Sequence, residues 1–155
     1  MPRKVELYAK KIRNGTVIDH ISNGYALDVL NILKITGKDN HVLCIVMNVP
    51  SEKFSKKDMV KIEDWELKPK DADKIALISP YATINIIREY DVVDKKNVNL
   101  PKVIKGIVKC NNPSCISNSR EPLEPMFHVR KSEPLIMQCH YCSRIMEKED
   151  ILERF

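Results

Sequence analysis

Cys110 and Cys115 form a C-x4-C pair, Cys139 and Cys142 a C-x2-C pair, and a hairpin's length of chain separates them. Thiolates at such spacings turn back onto a single ion at about 2.3 Å, and two pairs complete the tetrahedral sphere of one zinc per chain. A closed sphere has no position for a substrate, so the metal is expected to fold the chain rather than to do chemistry. The competing use of four cysteines is two disulfides, which persist only in oxidising compartments. Met1–Glu6 lacks the apolar segment of an export signal and no run approaches membrane-spanning length, so the expectation is a cytoplasmic chain with structural zinc. Cys44, inside the apolar run His41–Met47, reads as a small buried hydrophobe. His140 lies between two ligands and reads as facing solvent or a partner.

A zinc ribbon and a formal charge of +5 invite a nucleic-acid reading. The distribution of charge weakens it. Residues 101–155 carry nine Lys/Arg against seven Asp/Glu, and residues 1–100 carry seventeen against fourteen, so neither part has a concentrated basic face. A zinc-ribbon nucleic-acid binder is the alternative function. A zinc hydrolase is excluded by four thiolates, which leave no open metal position, and the sequence has neither a nucleophile elbow nor a phosphate-cradling glycine loop.

The elements that must position these residues follow from periodicity. Apolar and polar residues alternate in Lys4–Lys10 and again in Thr16–Ile21, on either side of Asn14-Gly15, the pattern of a hairpin. Ala26, Leu27, Val29, Leu30, Ile32 and Leu33 predict a helix capped at Ser22 or Asn23 and ending at Thr36-Gly37. The run from His41 to Val49 predicts a buried strand, broken at Pro50-Ser51, and Lys57–Glu63 another. Pro69 opens a second helix over Lys70–Ile78, and Ala82–Val93, rich in Ile and Val, reads as a further strand. The order predicts an α+β fold: a mainly antiparallel sheet with both helices on one face and a ferredoxin-like core. Asp94–Pro101 reads as a linker, dividing a domain of residues 1–99 from a small zinc-bound all-β domain of residues 100–155. In the latter, Val103–Lys109, Met126–Arg130 and Leu135–Gln138 read as short strands flanking the two knuckles.

Across essentially its whole length the chain resembles the regulatory chains of aspartate carbamoyltransferase. The N-terminal part carries Gly15–Ile21, Lys57–Glu63, Ala82–Asn85 and Tyr90–Val93, and the C-terminal part Cys110–Ser117, Phe127–Lys131 and Cys139–Cys142. Each motif is weak alone; their order and spacing together are specific. The resemblance implies a non-catalytic chain acting in pyrimidine biosynthesis. Its N-terminal domain would bind the nucleotide effectors ATP and CTP in one pocket, with UTP beside CTP in some members and magnesium accompanying the phosphates. Its zinc domain would dock on a separate catalytic chain, and regulatory chains would pair through the N-terminal sheet, three dimers bridging two catalytic trimers. Neither nucleic acid nor membrane is an expected partner.

By resemblance, Lys95 and His20 stand on the phosphate side of that pocket. Lys61 stands on the ribose side with Asp19 and Asn85 as polar partners, and Ile12, Tyr90 and Val92 meet the base. Read alone, the lysines are ordinary solvated side chains of strands, Asp19-His20 is a capping pair, and Tyr90 and Val92 are core. The chain departs from well-known bacterial members at Lys10, where they carry an acidic residue. Asn112 fits a polar contact to the catalytic chain, whereas Ser114 and Ser143 stand where other members have longer side chains.

Overall fold

The computed structural model describes residues 10–120 and 123–153. The chain divides into two compact units, Met1–Asn99 and Leu100–Phe155. The first contains β1 (Gly15–Ser22), α1 (Ala26–Ile32), β2 (Leu43–Ser51), β3 (Ser55–Glu63), α2 (Pro69–Ile78), β4 (Thr83–Arg88) and β5 (Asp91–Asn97). Its sheet has the order β2-β3-β1-β4-β5 with every neighbouring pair antiparallel. Strands β4-β1-β3-β2 with helices α1 and α2 make the ferredoxin-like core, and β5 extends it. The two helices pack against each other and therefore share one face of the sheet. Ile18, Val60, Ile62 and Ile84 are fully buried together with Val29, Ile75 and Ile78 of the helices. Each such side chain contributes about 1.5–3 kcal/mol by leaving water. The residues between them along the strands, Val17, Met59 and Ile87, belong to a second apolar cluster with Ile12, Val46 and Val49.

Several expectations change. The strand expected at Lys4–Lys10 lies outside the described residues except for its last position, which is irregular. β2 is an edge strand of the described sheet rather than a buried one: only Val46 and Val49 are buried in it, and Cys44 is half-buried against the second cluster. Pro50 does not end it but pairs with Lys56, which an edge tolerates because no neighbour requires the missing N–H. Helix α1 stops at Ile32, with Lys34 left-handed at φ 59°, and neither Ser22 nor Asn23 caps it. The carboxylate of Asp58, from β3, does that work instead, accepting the N–H groups of Gly24 at 2.8 Å and Ala26 at 3.0 Å. Ala82–Val93 is two strands, not one, reversing at Glu89-Tyr90. Asp94–Asn97 then belongs to β5 and not to a linker.

The second unit holds β6 (Val103–Lys105), a 3₁₀ turn (Ile116–Asn118), β7 (Met126–Ser132), β8 (Leu135–Cys139), β9 (Ile145–Glu147) and the short helix α3 (Lys148–Leu152). The strands form an antiparallel sheet in sequence order. Ile104, Phe127, Met137, Met146 and Ile151 are buried at its core. So small a core needs a further staple, and the cysteines supply one. β9 and α3 were not expected from the sequence, and β6 is shorter than the run Val103–Lys109.

Candidate functional site

Cys139 ends β8 and Cys142 follows within the β8–β9 turn, where the Ser143 N–H donates to the Cys139 carbonyl at 3.0 Å and Ser143 is left-handed. Cys110 and Cys115 flank a loop in which the Cys115 N–H donates to the Asn112 carbonyl at 3.0 Å. The Asn118 amide holds that loop by donating to the carbonyls of Cys110 and Asn112, both at 2.9 Å. The two knuckles thereby meet. All four Sγ atoms lie within 4.8 Å of one another, with Cys110 to Cys142 at 3.6 Å and Cys115 to Cys139 at 3.7 Å.

Four sulfurs about 2.3 Å from one zinc stand about 3.8 Å apart at tetrahedral angles, whereas a disulfide needs about 2.05 Å. The spacing fits the metal, and Cys110, Cys115, Cys139 and Cys142 fit one structural zinc ion. Burial pushes the Cys110 thiol up to about 12 and raises that of Cys139. At Cys142 burial also pushes upward, but hydrogen bonds from the Arg144 N–H, the Asn112 side chain, Cys110 and Cys139 overcome it and lower the thiol to about 7. Zinc takes these groups as thiolates, so loading releases protons. His140 is exposed, with its Nδ1 2.9 Å from the Nε2 of His128.

The second site lies on the sheet face opposite the helices. The register sets Lys61, Val17, Asn85 and Lys95 side by side across β3, β1, β4 and β5. A bulge between the pairs Ile86–Asp94 and Ile87–Val92 gives β5 one extra residue there. Without it Val92 and Lys95, three apart, would point to opposite faces; with it both join the same one. Here a cavity of about 440 Å³ is lined by Lys11, Asp19, Lys57, Lys61, Asn85 and Lys95 over the apolar side chains of Val17, Met59, Ile87 and Val92. That volume lies in the usual range for small-molecule sites, about 300–1,000 Å³.

Polarity changes along this cavity. The row Val92–Ile87 is apolar and backed by buried Ile12. Four residues away along β4, about 13 Å, Thr83 pairs with Asp19. At that end Lys57, only 8% exposed, is held by Asp19, with Nζ 2.8 Å from Oδ1. His20 follows at φ 55° in a bulge of β1, its N–H on the Asp19 carboxylate at 2.7 Å and its Nδ1 3.0 Å from the Thr83 hydroxyl. Its pKa is lowered, chiefly by burial; Asp19 raises it, and Lys57, Lys53 and Lys95 lower it further. Lys61 Nζ reaches the Lys10 carbonyl at 2.8 Å, tying the chain before β1 to the cavity's edge.

Of the residues singled out in the sequence, Asp19, Lys61, Asn85, Val92 and Lys95 line the cavity, and Ile12 packs in the apolar cluster beneath it. His20 stands beyond the cavity lining. Tyr90, 57% exposed, sits in the β4–β5 turn and does not line the cavity either. Lys11, Lys57, Val17, Met59 and Ile87 were missed. Strand period would have found two of these, since Lys57, Met59 and Lys61 alternate onto one face.

Known proteins give the same outline. The profile of a family described as aspartate carbamoyltransferase regulatory chain, allosteric domain, matches residues 7–99, and that of its metal binding domain matches residues 102–152. An aspartate carbamoyltransferase regulatory chain of Hyperthermus butylicus is 50% identical over 149 residues, 96% of this chain and 93% of that one. Those of Korarchaeum cryptofilum and Methanothrix thermoacetophila are 51% identical over 97% of both chains and 52% identical over 90% of both. With both domains matched in order and such identity over nearly the full length, the chain belongs to the aspartate carbamoyltransferase regulatory chains: a non-catalytic, allosteric and metal-binding chain whose partner is a catalytic chain.

Proposed function

We propose that the chain senses nucleoside triphosphates, ATP and CTP competing for the cavity on the helix-free face and UTP acting beside CTP, and passes their binding to the catalytic chain as a change in activity. The observation that carries this reading is the polarity gradient along one cavity. An apolar end at Ile87 and Val92 suits a base. The next row, Lys61, Asn85 and Lys95, and beyond it Lys57 beside Asp19, offer polar and cationic groups to a ribose and a run of phosphates. Four lysines against one aspartate in the lining favour a polyanion, and the concave shape favours a small one over a nucleic-acid backbone.

In this reading His20 and Lys95 serve the phosphates, Asp19 sets the balance of charge there, and magnesium accompanies the phosphates. Ile12, Tyr90 and Val92 serve the base end. The domain of residues 1–99 carries the effector and pairs with a second copy through its sheet. The domain of residues 100–155 docks on the catalytic chain with Cys110, Cys115, Cys139 and Cys142 around zinc, and the assembly works in the cytoplasm. Among the described residues, no helix is long and apolar enough to cross a membrane.

Calorimetric titration of the full chain with ATP, CTP and UTP tests the site. The expected result is binding that weakens with salt, competition between ATP and CTP, and loss of affinity in Lys95→Ala and Lys61→Ala. Nucleotide binding unaffected by both substitutions would contradict it.

A further inference from the structure

Beyond the cavity's phosphate end stands a chain of three rings. The ring of His20 meets that of Phe54 edge-on, with centroids 6.1 Å apart, and Phe54 in turn meets Tyr81 at 5.7 Å. Lys53 Nζ lies 5.2 Å from the Phe54 centroid. Phe54 comes from the β2–β3 turn and is half-buried; Tyr81 precedes β4 and is 52% exposed. Such ring pairs fall within the favourable separations of about 4.5–7 Å and resist rotation of the smaller ring. The other constraint on His20 is Thr83, itself buried, whose hydroxyl meets Nδ1 at 3.0 Å. With Nδ1 so engaged, Nε2 is the ring nitrogen left to bond a ligand: it carries the proton when the Thr83 hydroxyl donates to Nδ1, and it keeps that proton in the imidazolium, where Nδ1–H donates to the hydroxyl.

We propose that Phe54 and Thr83 are positioning residues for effector binding: they hold the His20 ring so that Nε2–H serves as a donor to the outer phosphates of a nucleoside triphosphate. This rests on the nucleotide reading of the cavity. The groups acting on His20 from the neighbouring elements are Asp19 beside it on β1, Lys57 from β3, Lys53 from the β2–β3 turn and Lys95 from β5. Three of the four are cations. Burial first, and these cations further, disfavour the imidazolium in the free chain against the pull of Asp19, and a bound polyphosphate offsets the cations and draws a proton onto the ring. A monophosphate places less charge at this end and depends less on His20.

The test is calorimetric titration of the full chain with CTP and with CMP, at about pH 6 and about pH 8, for the native sequence, Phe54→Ala, Phe54→Tyr and Thr83→Val. Phe54→Ala and Thr83→Val are expected to lose about two- to tenfold in CTP affinity while CMP affinity holds, and to flatten the pH dependence of CTP binding. Phe54→Tyr, which keeps the ring, should retain both affinity and pH dependence. The retained CMP affinity also reports that each variant is folded. Equal losses for CTP and CMP, no loss for either, or a Phe54→Tyr variant as weak as Phe54→Ala would overturn the positioning role alone. A native chain that binds no CTP would defeat the nucleotide reading and this inference with it.

Discussion

Lys57 is 8% exposed, and its charge is tolerable there because Asp19 lies 2.8 Å away and because the cavity admits solvent or ligand. Removing the counter-charge while keeping the shape isolates that dependence. Asp19→Asn is expected to lower stability by about 1–2 kcal/mol, less than for a fully buried pair because both side chains keep some exposure. Thermal unfolding of the ligand-free chain measures it. His20 sets a pH dependence whose sign follows from its lowered pKa. Its neutral form is favoured by the fold, so this contribution to stability is present above pH 6.5 and is lost as pH falls through the lowered value. Binding of a polyphosphate has the opposite preference. Under the proposed function it favours the imidazolium, so the chain is expected to take up a proton on binding and effector affinity to rise as pH is lowered toward and below 6.5. The gain is expected to be about two- to fivefold per pH unit, visible as buffer-dependent binding heats and absent in His20→Gln.

At the scale of elements, two residues hold the sheet in the shape the cavity needs. Gly15 opens β1 at φ 143°, and a Cβ there would stand 2.1 Å from the Ile62 carbonyl oxygen of the paired strand. Backbone cannot swing aside as a side chain can, so Gly15→Ala should cost about 2–4 kcal/mol in urea unfolding. Asp58 is fully buried and accepts N–H groups from Gly24, Ala26 and, at 2.8 Å, Asn48, joining the start of α1 to the bulge of β2. Asp58→Ala strands three donors, that of Ala26 on a buried residue, and is expected to cost about 2–3 kcal/mol, Asp58→Asn less, since it keeps one acceptor oxygen. These two elements also mark how far the sequence could be read. The thiol cluster was legible because metal spacing is local, and the β1, β3 and α2 segments were legible because their periodicity is strong. The cap of α1 was not, because its carboxylate lies thirty-odd positions downstream and no local pattern announces it. The β4–β5 turn was not either. Glu89 and Tyr90 both have positive φ, 48° and 69°, which turn-forming sequences usually give to Asn or Gly. Here distant groups hold them: the Arg13 carbonyl accepts from the Tyr90 N–H at 2.9 Å, Asn14 Oδ1 accepts from the Glu89 N–H at 3.2 Å, and Arg13 pairs with Glu89. Asp94–Asn97, the second half of β5, reads as linker because it is polar, and the whole strand is exposed. Val92 and Lys95 are legible through the resemblance, and Lys57 through its alternation with Met59 and Lys61.

At the scale of the whole molecule, the chain joins an allosteric unit to a metal-binding unit, and each should fail separately. Chelation of zinc, or Cys142→Ser, removes a ligand from a core too small to stand without it. The expected outcome is loss of ordered structure in residues 100–155 and of association with the catalytic chain, while residues 1–99 still bind nucleotide; two-dimensional NMR with and without chelator, alongside co-purification, checks both halves. Regulation then requires more than tight binding. A nucleotide shifts the catalytic chain between states only by binding the regulatory chain with different affinity in each, a coupling typically of about 1–3 kcal/mol. The most direct measurement is the aspartate saturation curve of the complex reconstituted with its catalytic chain, with and without ATP or CTP. The curve of the complex should move with nucleotide while that of the isolated catalytic chain stays fixed; a complex whose curve ignores both nucleotides would contradict the account and leave this chain a scaffold.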